Sequence, residues 1–522
     1  MTLMLTLGTA AFGAQKTLPS GKDTGSINVT NLKPGDTVTA YQFVKADYNE
    51  YGFTGYSAIN NYVKDTVAPT AQEVIDMASN AATMTVAAEK KVATGDTEVT
   101  LNGLPVGYYL VMVTSGSETV YSPMIAGIYY SKSATDNTLT NGAISADSDF
   151  EIKAQKCWAK SSTPKLEKTI VTPSSKNSKG DDIAIGDKIT FNLSATVPSY
   201  SREYKKVTYK IYDIMSEGLD YVDGSMKCFI EKYENNRENI KVTPKVNGGI
   251  IEITFDSKFI LEHPGQKIQV EYQAKLNEKA GVNFDANINK AYLEYSNNPA
   301  SGSTAKTGED KVYVYTFGID SNLFGKSTEK WNEKTKELIK VEEGEYQWVE
   351  TEKESGIFTT TTALEGATFT LTNNKTKKSY TATSDKYGYL KFTGLDAGEY
   401  TLQETDAPDG FTLNDAKHTV VITAEYNQDG TLKSYTIKID DKATSTYTAT
   451  CDKGVIKTIN SKKDSQGNIS ESAILKNSKM SFLPSTGGVG TTIFAIVGVV
   501  FVAAALGLHM ILRGKSKLEQ DR

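Results

Sequence analysis

Apolar and polar residues alternate in short runs along most of this chain. Ser26-Ile27-Asn28-Val29 alternates, and Thr37 to Val44 follows the turn Lys33-Pro34-Gly35-Asp36. Val99 to Leu104 leads through Pro105-Val106-Gly107 into Tyr108 to Val113. The same pattern returns at Lys188 to Thr196, Lys206 to Met215, Gly249 to Phe255 and Lys267 to Leu276, and later at Ala367 to Leu371, Tyr389 to Phe392, Gly398 to Leu402 and Thr419 to Thr423. Period-two alternation punctuated by Gly, Pro, Asn and Asp predicts short strands with one buried face. Thr70 to Ser79 breaks the pattern and predicts one helix with Thr70 as its N-cap. Near the C-terminus the pattern changes altogether. Thr491 to Leu512 carries no charge and is followed at once by Arg513, Lys515 and Lys517. A helix of about 22 residues rises roughly 33 Å, enough to cross a bilayer. The basic cluster after it stays in the cytoplasm by the positive-inside rule.

The chain has 522 residues, a length that predicts roughly three or four domains. Composition breaks suggest where they meet. Lys160 to Pro164 is a short polar connector, Ala300 to Gly308 a second linker, and Trp331 to Glu354 a charged, exposed excursion. The organisation expected is a signal segment at 1–14, three strand-rich domains at 15–159, 160–310 and 311–462, a polar tether at 463–482 and a terminal segment at 483–522. Strand-rich units in series do not share one core, so the fold class is all-β, tandem sandwiches with a C-terminal membrane helix. Met1 to Ala14 resembles the end of a secretory signal peptide that lacks its basic region.

Charge and rare residues exclude several functions. The net charge is -6, which leaves no basic face for nucleic acid. Histidines occur only at His263, His418 and His509, so a histidine-based hydrolase or a His-rich metal site is not expected. Cys157, Cys228 and Cys451 fit no zinc spacing and no disulfide framework, and read as small core residues. No cofactor, no metal and no turnover enzyme are expected.

Strand alternation instead singles out polar residues on apolar faces. Lys168 shares a face with Leu166 and Ile170, Asp213 with Tyr209 and Ile211, and Asn289 with Ala291 and Leu293. Burying them unpaired costs several kcal/mol. Burial also favours a neutral amine on the lysine and a protonated carboxyl on the aspartate. A neutral amine is a nucleophile, and a protonated carboxyl polarises a carboxamide and shuttles protons. The chemistry this permits is a Lys–Asn isopeptide bond with loss of ammonia.

Several stretches resemble known families. Leu483-Pro484-Ser485-Thr486-Gly487, the apolar span 491–512 and the basic tail together resemble the LPxTG cell-wall sorting signal of Gram-positive surface proteins. The resemblance implies sortase cleavage between Thr486 and Gly487 and transfer of the Thr486 carbonyl to an amine, with a span that anchors the chain only transiently. Leu101 to Val111 resembles the N-terminal domain of major pilins of sortase-assembled pili, an immunoglobulin-like β-sandwich. Lys165-Leu166-Glu167-Lys168-Thr169-Ile170, Tyr209 to Tyr221 and Asn287 to Pro299 resemble the isopeptide-forming middle domain of such pilins. That match implies Lys168 as amine donor, Asn289 as acceptor and Asp213 as catalytic acid. Leu364 to Leu371 and Asp385 to Phe411 resemble the Cna protein B-type repeat, with Glu404 as its acid and Asn460 as its acceptor. The lysine slot of that repeat falls on Leu323, and the nearest lysine is Lys326, on the opposite face unless the strand bulges.

Pilus-forming relatives present a lysine near the end of the first domain, where this chain has Cys157-Trp158-Ala159-Lys160. The resemblance implies Lys160 as the amine that receives Thr486, with Lys153 and Lys156 as alternatives. The expectation is a major (backbone) pilin: a structural, adhesion-mediating shaft subunit on the cell wall. Its implied partners are a class C pilus sortase, a housekeeping sortase, other copies of the chain, minor tip or basal pilins, peptidoglycan and a host surface ligand. The competing expectation is a monomeric, peptidoglycan-anchored adhesin.

Overall fold

The computed structural model describes residues 18–115, 118–131, 144, 150–171, 173–174, 177–231, 236–319, 364–385 and 390–440 in full, and the backbone of strands at 324–331, 339–340, 346–351, 358–363, 442–452, 455–461 and 473–477. The expected signal segment and the LPxTG signal with its apolar span lie outside the described residues. Among the described residues no helix is long and apolar enough to cross a membrane.

Strands dominate, as the alternation predicts. In the first region the strands Gly52–Ala58, Thr37–Asn49, Gly107–Thr114, Met124–Ser131 and Glu151–Ala154 form one sheet in that order, and Cys157–Trp158, Thr24–Thr30 and Glu98–Pro105 form a smaller one. Gly107–Thr114 is buried on both faces. Tyr109 and Val111 pack towards Ile27, Val29 and Ile128, while Tyr108 and Leu110 pack with Phe43 and Met77. The second face is covered by the predicted helix, Ala71–Ser79. Thr70 caps it by accepting from Glu73 N, and the Glu73 carboxylate in turn accepts from Thr70 N, so two orphan donors at the helix start are satisfied.

The second region is a sandwich of two sheets. One orders Leu166–Ile170, Lys188–Thr196, Lys267–Leu276, Lys227–Glu231 and Arg237–Ile240; the other orders Gly180–Asp182, Asp310–Tyr315, Asn287–Asn298, Tyr209–Met215, Ile250–Thr254 and Lys245–Asn247. Inward residues of both, among them Phe191, Val270, Ile211, Leu293 and Val312, form one core. The expected linker at Ala300 to Gly308 contributes the strand Ser303–Lys306, paired with Asn287–Asn298. The strand Asp310–Tyr315 lies with this core, so the sandwich extends past residue 310. The connector after Lys160 is likewise structured: Ser161–Ser162 pairs with Val120–Tyr121.

The third region is built on a sheet ordered Ser379–Thr383, Thr368–Asn373, Gly398–Asp406, Lys417–Tyr426, Leu432–Ile439, Lys442–Asp452 and Val455–Ser461. Phe369, Leu371, Tyr400, Leu402, Val420 and Ile437 form its core with Phe317 and Ile319. The stretch expected as an excursion carries the strands Ile339–Lys340 and Tyr346–Thr351 in a separate sheet with Phe358–Ala363 and Phe324–Trp331. Ala473–Asn477, within the expected tether, pairs in parallel with Phe324–Trp331.

The second and third regions meet closely. Ile185 N donates to Gly394 O at 3.0 Å, and Lys378 Nζ bonds Ile185 O and Asp187 Oδ1 at 2.7 and 2.9 Å. Gly180 sits where a Cβ would come within 2.1 Å of Gly430 O, and Gly430 itself has φ +87°. Only glycine satisfies both the close approach and the left-handed turn.

Candidate functional site

The sandwich of the second region places all three singled-out residues together. Lys168 enters from the first strand of one sheet, while Asp213 and Asn289 enter from adjacent strands of the facing sheet, with Met215 opposite Asn289 and Asp213 opposite Ala291. The burial of Leu166–Ile170 alternates as predicted and turns Lys168 inward. Lys168, Asp213 and Asn289 are each 0 % exposed. Two rings line the lysine: Nζ stands 5.0 Å from the Phe191 ring centre and 5.3 Å from that of Tyr272.

The polar atoms form a closed cluster. Lys168 Nζ donates to Asp213 Oδ2 in a short contact and to Tyr272 OH at 3.1 Å. Tyr272 OH donates to Asp213 Oδ1 at 2.8 Å and accepts from Asn289 Nδ2 at 2.7 Å. Asn289 Oδ1 is buried and, among the described residues, has no hydrogen-bond partner. Burial pushes the Lys168 ammonium below its ordinary value, against the pull of Asp213. Burial pushes the Asp213 carboxyl up, against Lys168 and Tyr272. Both directions move the proton from nitrogen to oxygen. The resulting amine can attack the Asn289 carboxamide, and the carboxyl can serve the proton transfers.

The first strand is held in place around this centre. Lys168 N donates to Asp310 Oδ2 at 2.7 Å, and Lys179 Nζ bonds Lys168 O and Asp310 Oδ2 at 2.6 Å each. The lysine backbone is thus fixed by groups that leave its side chain committed to the core.

Tyr272 carries no mark in the sequence that separates it from other inward tyrosines. It alternates with Val270 and Ala274 on an apolar face, and aromatic residues are ordinary there. Only the hydroxyl's position among three polar groups distinguishes it.

The third region offers a different picture. Glu404 lies inward with Tyr400 and Leu402, is 1 % exposed and accepts from Asn414 N at 2.8 Å. Asn460 lies on Val455–Ser461, four ladder steps across the sheet from the strand of Glu404. Lys326 lies on Phe324–Trp331, a strand of the separate sheet. Leu323 lies outside the described residues, as do Leu483, Pro484, Ser485, Thr486 and Gly487.

Lys160 is exposed at the end of the first region, as is Lys156, while Lys153 is partly covered and has a partner. The backbone beside Lys160 is pinned. Asn31 Nδ2 donates to Ala159 O at 2.6 Å, and Ser122 N donates to Lys160 O at 3.0 Å. The neighbouring Trp158 is 72 % exposed. Cys157 and Cys228 are free and buried, as small core residues.

Comparison with known proteins follows the same modular order. A T6 antigen Ig-like domain matches residues 22–161, a SpaA prealbumin-like fold domain residues 358–439, and an LPXTG cell wall anchor motif residues 476–517. The chain is 26 % identical over 549 aligned positions to the trypsin-resistant surface T6 protein of Streptococcus pyogenes serotype M6, covering 95 % of this chain and 96 % of that one. Its fold is similar to that of the solved T6 backbone pilin of serotype M6 Streptococcus pyogenes, with a TM-score of 0.59, 20 % identity and coverage of 89 % of this chain and 100 % of that one. That pilin is described as a modular three-domain structure decorated with variable loops and extensions. The chain is therefore a homologue of the T6 backbone pilin, with a T6-antigen immunoglobulin-like domain, a SpaA prealbumin-like domain and an LPXTG cell wall anchor in that order.

Proposed function

We propose that this chain is the repeating shaft subunit of a covalently polymerised surface pilus. A class C pilus sortase cleaves between Thr486 and Gly487 and passes the Thr486 carbonyl to Lys160 of another copy. Head-to-tail joining of this kind is heterologous and open, so it builds a fibre. A housekeeping sortase then transfers the finished fibre to peptidoglycan, and minor pilins occupy its ends. Within each subunit, Lys168 and Asn289 form an isopeptide bond with Asp213 as the acid. In the third region the buried Glu404 supports an acid role, with Asn460 on a strand four steps away in the same sheet and Lys326 on a strand of another sheet.

The observation that carries this reading is the near full-length homology to the surface T6 protein in a chain that ends in an LPXTG anchor. The exposed Lys160 on its pinned backbone supplies the acceptor amine. The test is an immunoblot of cell-wall extracts boiled in SDS. A ladder of high-mass species is expected, collapsing to the single subunit in Lys160→Ala. A single band in the unaltered strain overturns the fibre and leaves a monomeric wall-anchored adhesin. A ladder that survives Lys160→Ala moves the acceptor to Lys153 or Lys156.

A further inference from the structure

We infer that Tyr272 is a catalytic residue of the amide-forming centre: its hydroxyl relays a proton between Asp213 and the departing amide nitrogen of Asn289. The inference rests on the isopeptide reading above and adds a residue and a proton path to it.

The argument begins with which atoms meet. Asp213 spends its two oxygens on different partners, Oδ2 on Lys168 Nζ and Oδ1 on Tyr272 OH. Asn289 Nδ2, the nitrogen that must leave, donates to Tyr272 OH at 2.7 Å. The hydroxyl therefore stands between the acid and the leaving group, with 2.8 Å on one side and 2.7 Å on the other. It comes from the opposite sheet to Asp213 and Asn289, paired in the strand ladder with Phe191, whose ring lines the same lysine. Tyr272 is 0 % exposed, so bulk solvent does not reach this contact.

Burial and the nearby Asp213 carboxyl hold the phenol well above its ordinary value, which keeps it an O–H donor throughout. The step then balances without any added reagent. Lys168, as a neutral amine, attacks Asn289 Cγ and forms the new C–N bond. The protonated Asp213 carboxyl gives its proton through Oδ1 to Tyr272 as Tyr272 passes its own to Nδ2. The carboxylate so formed takes, at Oδ2, the proton that the adduct nitrogen gives up. The Cγ–Nδ2 bond breaks and ammonia leaves. Asp213 and Tyr272 end in the protonation states in which they began. A carboxyl that accepts on one oxygen and donates from the other needs a bridge of this length when the leaving nitrogen is bonded to the hydroxyl.

The experiment follows intact mass with time after cell-free synthesis of the full chain in detergent. The unaltered chain is expected to lose about 17 Da, one ammonia, relative to Lys168→Ala corrected for its sequence. Tyr272→Phe removes only the hydroxyl. It is expected to fold, by circular dichroism, like Asn289→Ala, and to lose ammonia on the order of 100-fold more slowly, the usual scale for proton transfer by a positioned group. A solvent deuterium isotope effect on the unaltered chain should shrink in the variant, a change that a packing role does not produce. Should Tyr272→Phe fail to fold, trifluorotyrosine at position 272 keeps the shape and changes only the acidity, and the rate must then shift. Ammonia loss at the unaltered rate in either substituted chain overturns the relay while leaving the bond intact. An unaltered chain with no mass loss overturns the bond itself, and the relay with it.

Discussion

Lys168 and Asp213 are each the other's compensation for burial, and that can be measured in chains that cannot form the proposed crosslink. Asn289→Ala and Asp213→Ala both prevent the amide bond, so neither gains from it. Asn289→Ala keeps the lysine paired. Asp213→Ala leaves it without its charged partner, with only the Tyr272 hydroxyl beside it, in a site with no exposure. Denaturant unfolding is expected to find Asp213→Ala less stable than Asn289→Ala by about 3–5 kcal/mol at neutral pH, the scale for breaking a buried ion pair. The sign of its pH dependence follows. In the variant the folded lysine loses the Asp213 charge that opposes the downward push of burial, while the unfolded one keeps its ordinary value of 10.5. The unfolded state binds the extra proton, so stability should rise with pH towards that value. A deficit that does not change with pH would show that the lysine finds another partner. The three polar residues of this site were legible because a strand has a period of two and a charged group on its apolar face breaks the pattern. Tyr272 was not, because tyrosine fits an apolar face as readily as a polar network and only the fold reveals what its hydroxyl meets.

The strand Gly180–Asp182 does at the next scale what the polar cluster does within the core: it joins two regions. Asp182 is buried among third-region groups, accepting from Tyr426 OH at 2.6 Å and from Ala397 N. Burial pushes its carboxyl up to about 6, with Asp181 and Asp396 adding to the rise and the Tyr426 and Ala397 bonds opposing it. A folded value above the ordinary 3.8 means that the folded junction holds a proton the unfolded chain has released. The stabilisation is complete below about pH 4 and is lost as pH rises through about 6; two units correspond to on the order of 3 kcal/mol. Melting of the third region is therefore expected to fall between pH 4 and 7, and Asp182→Ala should flatten that slope while lowering stability throughout. An unchanged slope in the variant assigns the dependence to another group. Little of this junction could be read from the sequence. The partners of Asp182 lie 215 and 244 positions further along the chain, at Ala397 and Tyr426, and alternation does not address pairing over that distance. The two polar stretches expected as linkers carry short strands for a related reason. Ser303–Lys306 and Ser161–Ser162 are polar because they are edge or exposed strands, and composition alone does not separate an exposed strand from a loop.

At the scale of the whole subunit, the proposed Lys168–Asn289 bond bears on how tension travels. In the proposed fibre, load enters at Lys160 and leaves at Thr486, so it crosses the second region from its first strand onward. A bond between residues 168 and 289 carries that load past the intervening chain. The loop so closed holds about 120 residues, and its closure could contribute on the order of 4–5 kcal/mol by analogy with disulfides. The mechanical effect is larger than that figure suggests, because a covalent bypass removes an unfolding route instead of raising its cost. Single-molecule pulling between a handle at Lys160 and one at the end of the third region makes the difference visible. The uncrosslinked Asn289→Ala chain is expected to show an extension that the unaltered chain lacks, about 400 Å for about 120 residues at 3.3–3.6 Å each. The remaining extensions should be shared by both chains, since the first and third regions are untouched. An unaltered chain that releases the same 400 Å step would mean that the second region unfolds under load without a covalent tie, and the fibre would then have to bear tension through strand pairing alone.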